Sequence, residues 1–180
     1  SAILEDKSSF QVMLSRFTSK WDASGQIPQR LVDDGTISRF GAVDDTEGGN
    51  TSRSNFNVTY RKPIDSNTFI KANTFYSNYN FELFSNFTFF LEDPINGDQI
   101  KQKETRDIYG INAELNKKIV RDKTDLLFQL GFGVRDDSTN DSELSHTKNR
   151  TEVLEQIKLG DIDESNVFTY LNTEIRLGKW

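Results

Sequence analysis

Apolar and polar residues alternate along six separate stretches of this chain, each with the period-2 signature of a β-strand. From Ser9 to Thr18, Phe10, Val12 and Leu14 share one face, and Gln11, Met13 and Ser15 share the other. Arg16 falls on the apolar side, which is tolerable at a rim where its head reaches water. Ser54 to Arg61 sets Phe56, Val58 and Tyr60 against Asn55, Asn57, Thr59 and Arg61. Thr68 to Asn80 is aromatic on both faces. Asp107 to Lys117 sets Tyr109, Ile111, Ala113 and Leu115 against Gly110, Asn112, Glu114 and Asn116. Leu126 to Arg135 opposes Leu126, Phe128, Leu130, Phe132 and Val134 to Gln129, Gly131, Gly133 and Arg135. Asn166 to Gly178 opposes Val167, Leu171, Ile175 and Leu177 to Asn172, Glu174 and Arg176.

The connections alternate in length: long near 20–53, short at 62–67, long at 81–106, short at 118–125, long at 136–165. The pattern predicts an all-β, antiparallel up-and-down meander of about six strands, part of a transmembrane β-barrel. Its long extracellular loops lie at one end and its short periplasmic turns at the other. Strands of about 9–11 residues suit a tilted crossing of the bilayer. Lys71 then orients the ambiguous third strand, because a Lys facing lipid at mid-depth costs about 2–4 kcal/mol. Ile70, Ala72, Thr74 and Tyr76 should point outward, and Lys71, Asn73 and Ser77 inward. Interfacial aromatic girdles are expected from Phe17, Trp21, Tyr76 and Tyr79 at the long-loop end, and from Tyr60 and Phe69 at the short-turn end. A soluble all-β binding or adhesion module is the alternative, since a sandwich packed on a core also alternates.

The first long connection has internal structure. Pro28 can open a short helix over Gln29–Asp34, and Gly35 can close it. Net charge is -6, from 28 acidic and 22 basic residues, which argues against nucleic acid as a partner. Fourteen Phe residues make the chain too aromatic for disorder. Without cysteine, disulfides, thiolate chemistry and cysteine metal sites are excluded. No run of about 18 apolar residues is present, so no transmembrane helix is expected. Mean hydropathy of -0.64 is compatible with a barrel, where only alternate residues meet lipid. The Ser-Ala start without Met reads as the cut end of a fragment.

WDASGQIPQR followed by ISRFGAVDDTEGGNTSR resembles an extracellular loop of a TonB-dependent outer-membrane receptor. NYNFELFSNFTFFLEDPINGDQIKQKETRDIYGINAEL is similar to a later hairpin of those barrels, and DESNVFTYLNTEIRL resembles a third segment. The resemblance implies that residues 1–180 are a partial receptor barrel in the outer membrane of a Gram-negative bacterium. Such receptors perform energy-coupled uptake of a scarce ligand: an iron–siderophore, cobalamin, another metal complex or a glycan. It also implies a TonB energy-coupling protein and outer-membrane lipid as partners. The plug is missing, so the piece would not transport by itself, and its open edges are expected to self-associate.

In the first loop, Arg30, Arg39, Phe40 and Arg53 suit a small-molecule ligand that is anionic and partly aromatic. Two acidic clusters, Asp44, Asp45 and Glu47, and Asp136, Asp137, Asp141 and Glu143, lack EF-hand spacing and read as solvated loops. His146, the only histidine, reads as a loop residue without a role. The run from Ser85 to Pro94 reads as a strand extension or a partner surface, the extension being preferred. No nucleophile motif is present, and no metal or cofactor is called for, so no enzyme is expected.

Overall fold

Residues 1–121 and 124–178 are described by the computed structural model. They form β1 (Ala2–Ile3), β2 (Ser9–Asp22), α1 (Gln29–Asp33), β3 (Gly48–Pro63), β4 (Thr68–Ser85), β5 (Ile100–Arg121), β6 (Thr124–Lys148) and β7 (Glu152–Leu177). The seven strands make one sheet in sequence order, and every neighbouring pair is antiparallel. The fold is an antiparallel meander. The expected six strands are all present, and β1 adds a two-residue edge.

The sheet is a single layer. Phe84 is the one buried apolar side chain among the described residues, so there is no sandwich core. Register explains how the chain manages without one. Val12, Val58, Thr74, Ile111, Val134 and Val167 line up across six strands on one face. Above them run Leu14, Phe56, Tyr76 and Tyr109; below them run Phe10, Tyr60, Ala72, Ala113 and Phe132. On β5 this exposed apolar face runs from Tyr109 to Ile119, broken by Lys117 near its lower end. Ten steps of strand are about 33 Å, or about 25 Å of height at a tilt of about 40°. That is the height of a lipid-facing band.

The opposite face is polar. Asn73 donates to Asn57 Oδ1 (2.9 Å), Ser77 to Asn55 Oδ1 (2.8 Å) and Asn55 to Ser15 Oγ (3.0 Å). Lys71 lies on this face opposite Glu114, and Ile70, Ala72, Thr74 and Tyr76 lie on the other, as the side chain of Lys71 requires. Arg16 shares the outer face, but in a wholly polar row with Ser54, Asn78, Asp107 and Ser138, one step beyond Leu14.

Three expectations need correction. Nearly all of the stretch 136–165, and both ends of 81–106, are strand. β4 continues to Ser85 and β5 begins at Ile100, while β6 and β7 climb to Lys148 and from Glu152, leaving a tight turn at 149–151. Connections of real length remain only at 23–47 and 86–99. Secondly, Phe17, Trp21, Tyr79 and Phe69 stand on the polar face, so they are no part of an outer girdle; Phe56, Tyr76 and Tyr109 edge the band there. Thirdly, the Ser85–Pro94 run is strand only at Ser85; the rest is loop, with Phe87 and Leu91 largely exposed. The short helix does form: Pro28 precedes it in an extended conformation, and Gly35 follows at φ +78°.

Candidate functional site

The long connections and the tall β6–β7 ribbon meet at the end of the sheet beyond the apolar band. Arg150, in the tight turn after β6, reaches across to the first loop. Its guanidinium donates to the carbonyls of Thr46 and Glu47, and to Asp22 Oδ1 at 2.9 Å. Its backbone N–H donates to Gln99 Oε1 (2.9 Å). Gln99 Nε2 in turn donates to Thr46 Oγ1 (2.5 Å) and Asp44 Oδ2 (3.3 Å), and Asn86 Nδ2 to Asp44 Oδ2 (2.8 Å). Gln99, Asn86 and Thr147 are all buried. All three connections at this end are therefore stitched by one polar network.

Its two carboxylates differ. Burial pushes the Asp44 carboxyl up, but hydrogen bonds from Thr46, Asn86 and Gln99 outweigh burial and hold it below the usual aspartate range. Burial raises the Glu47 carboxyl, only partly countered by the Asn86 N–H, and the nearby Asp44 charge raises it further. Glu47 Oε1 has no hydrogen-bond partner among the described residues. Gly25, at φ +55°, sits against this carboxylate; a Cβ there would lie 2.5 Å from Oε1. The first acidic cluster is thus a fastening for loops, where the sequence suggested solvated residues. The second lies on β6 as strand: Arg135 grips Asp137 (2.6 Å) and Lys101 grips Glu143 (3.0 Å). His146, expected in a loop, is also on β6, and its Nε2–H donates to Gly97 O at 2.6 Å.

The four residues expected to bind ligand are dispersed. Arg30 is on α1, exposed, and Arg39 and Phe40 are exposed in the loop beyond it, Phe40 at 93 %. Arg53 belongs to β3 and not to the loop. It stands on the polar face, where its Nε donates to Asn55 Oδ1 and Ser77 Oγ at 3.2 Å each. A cleft of about 270 Å³ lies here, lined by Arg53, Asn55, Ser77, Ile108 and Arg135.

Lower on the same face a second cleft, about 340 Å³, is lined by Lys71, Asn73, Asn112, Glu114, Phe168 and Tyr170. Tyr170 donates to Glu114 Oε2 at 2.5 Å. Its ring covers Gly131 and that of Phe168 covers Gly133, where any Cβ would collide with them. Periodicity places these residues on the inner face but does not reveal the partnership, because the contact is between strands distant in sequence. The arrangement offers hydrogen bonds, charge and aromatic surface.

An open antiparallel meander with one apolar and one polar face is the wall architecture of a β-barrel. No family model and no curated protein matches the chain. Among solved structures it is similar to the ferric citrate transporter FecA in its unliganded form, with a TM-score of 0.72 at 14% identity over 95% of this chain. The chain spans 25% of that transporter's length, and at this identity the likeness is one of fold.

Proposed function

We propose that the chain is part of the barrel wall of a TonB-dependent receptor in the outer membrane of a Gram-negative bacterium. There it lines the path of a scarce ligand taken up with energy from a coupling protein. The observation that carries this reading is the uncovered single sheet: its apolar face has nothing to pack on but lipid, and its polar face nothing to meet but water or a plug. The fold likeness to a ferric citrate transporter supports it. An iron chelate, cobalamin, another metal complex or a glycan are the cargoes in keeping with it. The chain's part is to bind and conduct, without catalysis. Its β7 edge, exposed almost throughout, seeks a further strand, and copies of the isolated chain would pair there.

Fractionation of cells expressing the full-length gene product tests the reading. It should partition with the outer membrane and migrate faster on a gel unheated than boiled, as closed barrels do. Recovery as a detergent-free monomer from the soluble fraction would overturn it in favour of a soluble binding module.

A further inference from the structure

Four aromatic side chains on the polar face have a packing duty. Tyr170 covers Gly131, Phe168 covers Gly133, Phe75 lies against Gly110, and Trp21 against Gly49. An aromatic ring over a cross-strand glycine fills the hole left by the missing side chain. Tyr79 and Phe81 have no such duty. Tyr79 lies opposite Arg53 and Arg106, and Phe81 opposite Thr51 and Glu104. Their rings are nearly parallel, 6.3 Å apart at an interplanar angle of 14°. No hydrogen bond engages the Tyr79 hydroxyl among the described residues.

These rings form one wall of a cleft of about 420 Å³, whose lining also includes Gln102, Leu144, the carboxylates of Glu104 and Glu143, and the lysines Lys103 and Lys158. A β-bulge shapes it. The β5–β6 register slips between Lys103 and Thr105, and Asp141, at φ +52°, is the extra residue on β6. Bulges of this kind re-aim side chains beside binding sites. The charges around the cleft are unevenly matched. Arg106 is paired with Glu104 (3.3 Å) and Arg135 with Asp137 (2.6 Å). Arg53 contacts only neutral groups, and Lys158 has no carboxylate partner among the described residues. Lys158 thus stands unpaired beside an unemployed pair of parallel rings.

We propose that this cleft, high on the polar wall, is a subsite for a single-ring aromatic acid, stacked on Tyr79 and Phe81 with its anionic oxygens toward Lys158. The proposal rests on the receptor reading in one respect, that this face lines a water-filled lumen. Flat rings and a nearby cation select for a planar, negatively charged group over an aliphatic one of the same charge. The cleft volume suits one ring with its substituents. The loop residues Arg30, Arg39 and Phe40 take no part in it.

The test uses the full-length receptor in detergent, with salicylate as probe and cyclohexanecarboxylate as the non-planar control, followed by saturation-transfer NMR titration. Salicylate should bind, and bind less well as salt rises. Tyr79→Ala, Phe81→Ala and Lys158→Ala should each weaken it about tenfold. Phe81→Leu keeps apolar bulk and guards against misfolding, and it too should lose affinity. Equal binding of the two acids, or undiminished salicylate binding by a folded Tyr79→Ala/Phe81→Ala double variant, would overturn the subsite. Outer-membrane protein that ignores salicylate sinks the subsite alone. Soluble protein that still binds it sinks the receptor reading alone.

Discussion

The lower and upper halves of this sheet are built from the same strands but differ in how polar and apolar residues are divided between the two faces. Below about Arg16, Ser54, Asp107 and Ser138, the outward positions are mostly apolar and the inward ones mostly polar, with Phe69, Phe75, Phe168 and Tyr170 as inward aromatics. Above that level β5, β6 and β7 run on as regular pairs while the alternation fades. Glu82, Lys103 and Glu143 take the outer face there, Phe81, Gln102 and Leu144 the inner. A strand between hydrocarbon and water is forced to alternate; a strand with water on both sides is not. Upper strands are held instead by ladder hydrogen bonds, cross-strand ion pairs such as Lys101–Glu143, and the network around Arg150.

The sharpest way to break this contrast is to place the same charge on either face at mid-band. Ile111→Arg puts a guanidinium between Thr74 and Val134 in the outer-face row that also holds Val58 and Val12, whereas Asn112→Arg puts it on the polar face. In the full-length protein reconstituted into bilayers, the outward substitution should lower unfolding stability by about 2–4 kcal/mol, and the inward one should change it little. Equal penalties would mean that the apolar face does not meet lipid.

The upper half should fail by a different route. Arg150→Ala removes the donor that joins the turn after β6 to Asp22, Thr46 and Glu47. A hydrogen bond from a charged donor is worth about 1.5–3 kcal/mol, and here one acceptor, the Glu47 carbonyl, belongs to a buried residue. Hydrogen exchange should therefore accelerate at residues 44–47 and in the loop 86–99, with the lower strands unaffected. Acceleration across the whole sheet would show that the two halves are one cooperative unit.

How far the fold was legible follows from the same contrast. Segments 107–117 and 126–135 gave up their faces to simple alternation, because one of their faces is apolar and the other polar. Segment 68–80 needed Lys71 to choose. Segments 81–85, 100–106 and 136–165 looked like loops because both their faces are wet, and polar strand residues carry no period. Tyr79 and Trp21 misled for a related reason: an aromatic near a membrane rim suggests a girdle, but each is directed inward by pairing set far away in sequence. Of the candidate ligand residues, only Arg53 could be referred to a strand, and its neighbours Tyr79 and Arg106 became visible only with the register.

Packing across strands offers a smaller perturbation in the lower half. Gly131→Ala would drive a methyl group into the Tyr170 ring and displace the hydroxyl that donates to Glu114. Overpacking of this kind costs about 1–3 kcal/mol. Because the ring is partly free to swing into the lumen, the low end of that range is expected, with a Tyr170→Ala background largely relieving the cost. A double-mutant cycle on unfolding stability measures the coupling.

The smallest effect, and the most local, concerns the loop 86–99. Asp98 accepts the backbone N–H groups of Leu91 (2.9 Å), Glu92 (3.1 Å) and Asp93 (2.7 Å), folding the loop around one carboxylate. Burial pushes this carboxyl up, but the Thr88 hydroxyl and those N–H groups prevail and bring it down to about 2, from 3.8. Because its folded value is depressed, Asp98 stabilises the loop above pH about 4, and that contribution is lost as pH falls through about 2. Asp98→Asn removes the charge while keeping an acceptor, and should loosen the loop by about 1 kcal/mol at neutral pH, a modest figure because solvent screens an exposed loop. Exchange of the amides at 91–93, followed from pH 6 downward, should converge between wild type and variant near pH 2. Residues 109–115, whose order depends on cross-strand pairing, should show no difference at any pH. A wild-type loop whose exchange follows only the intrinsic chemical rate down to pH 2 would mean that the carboxylate holds nothing in place.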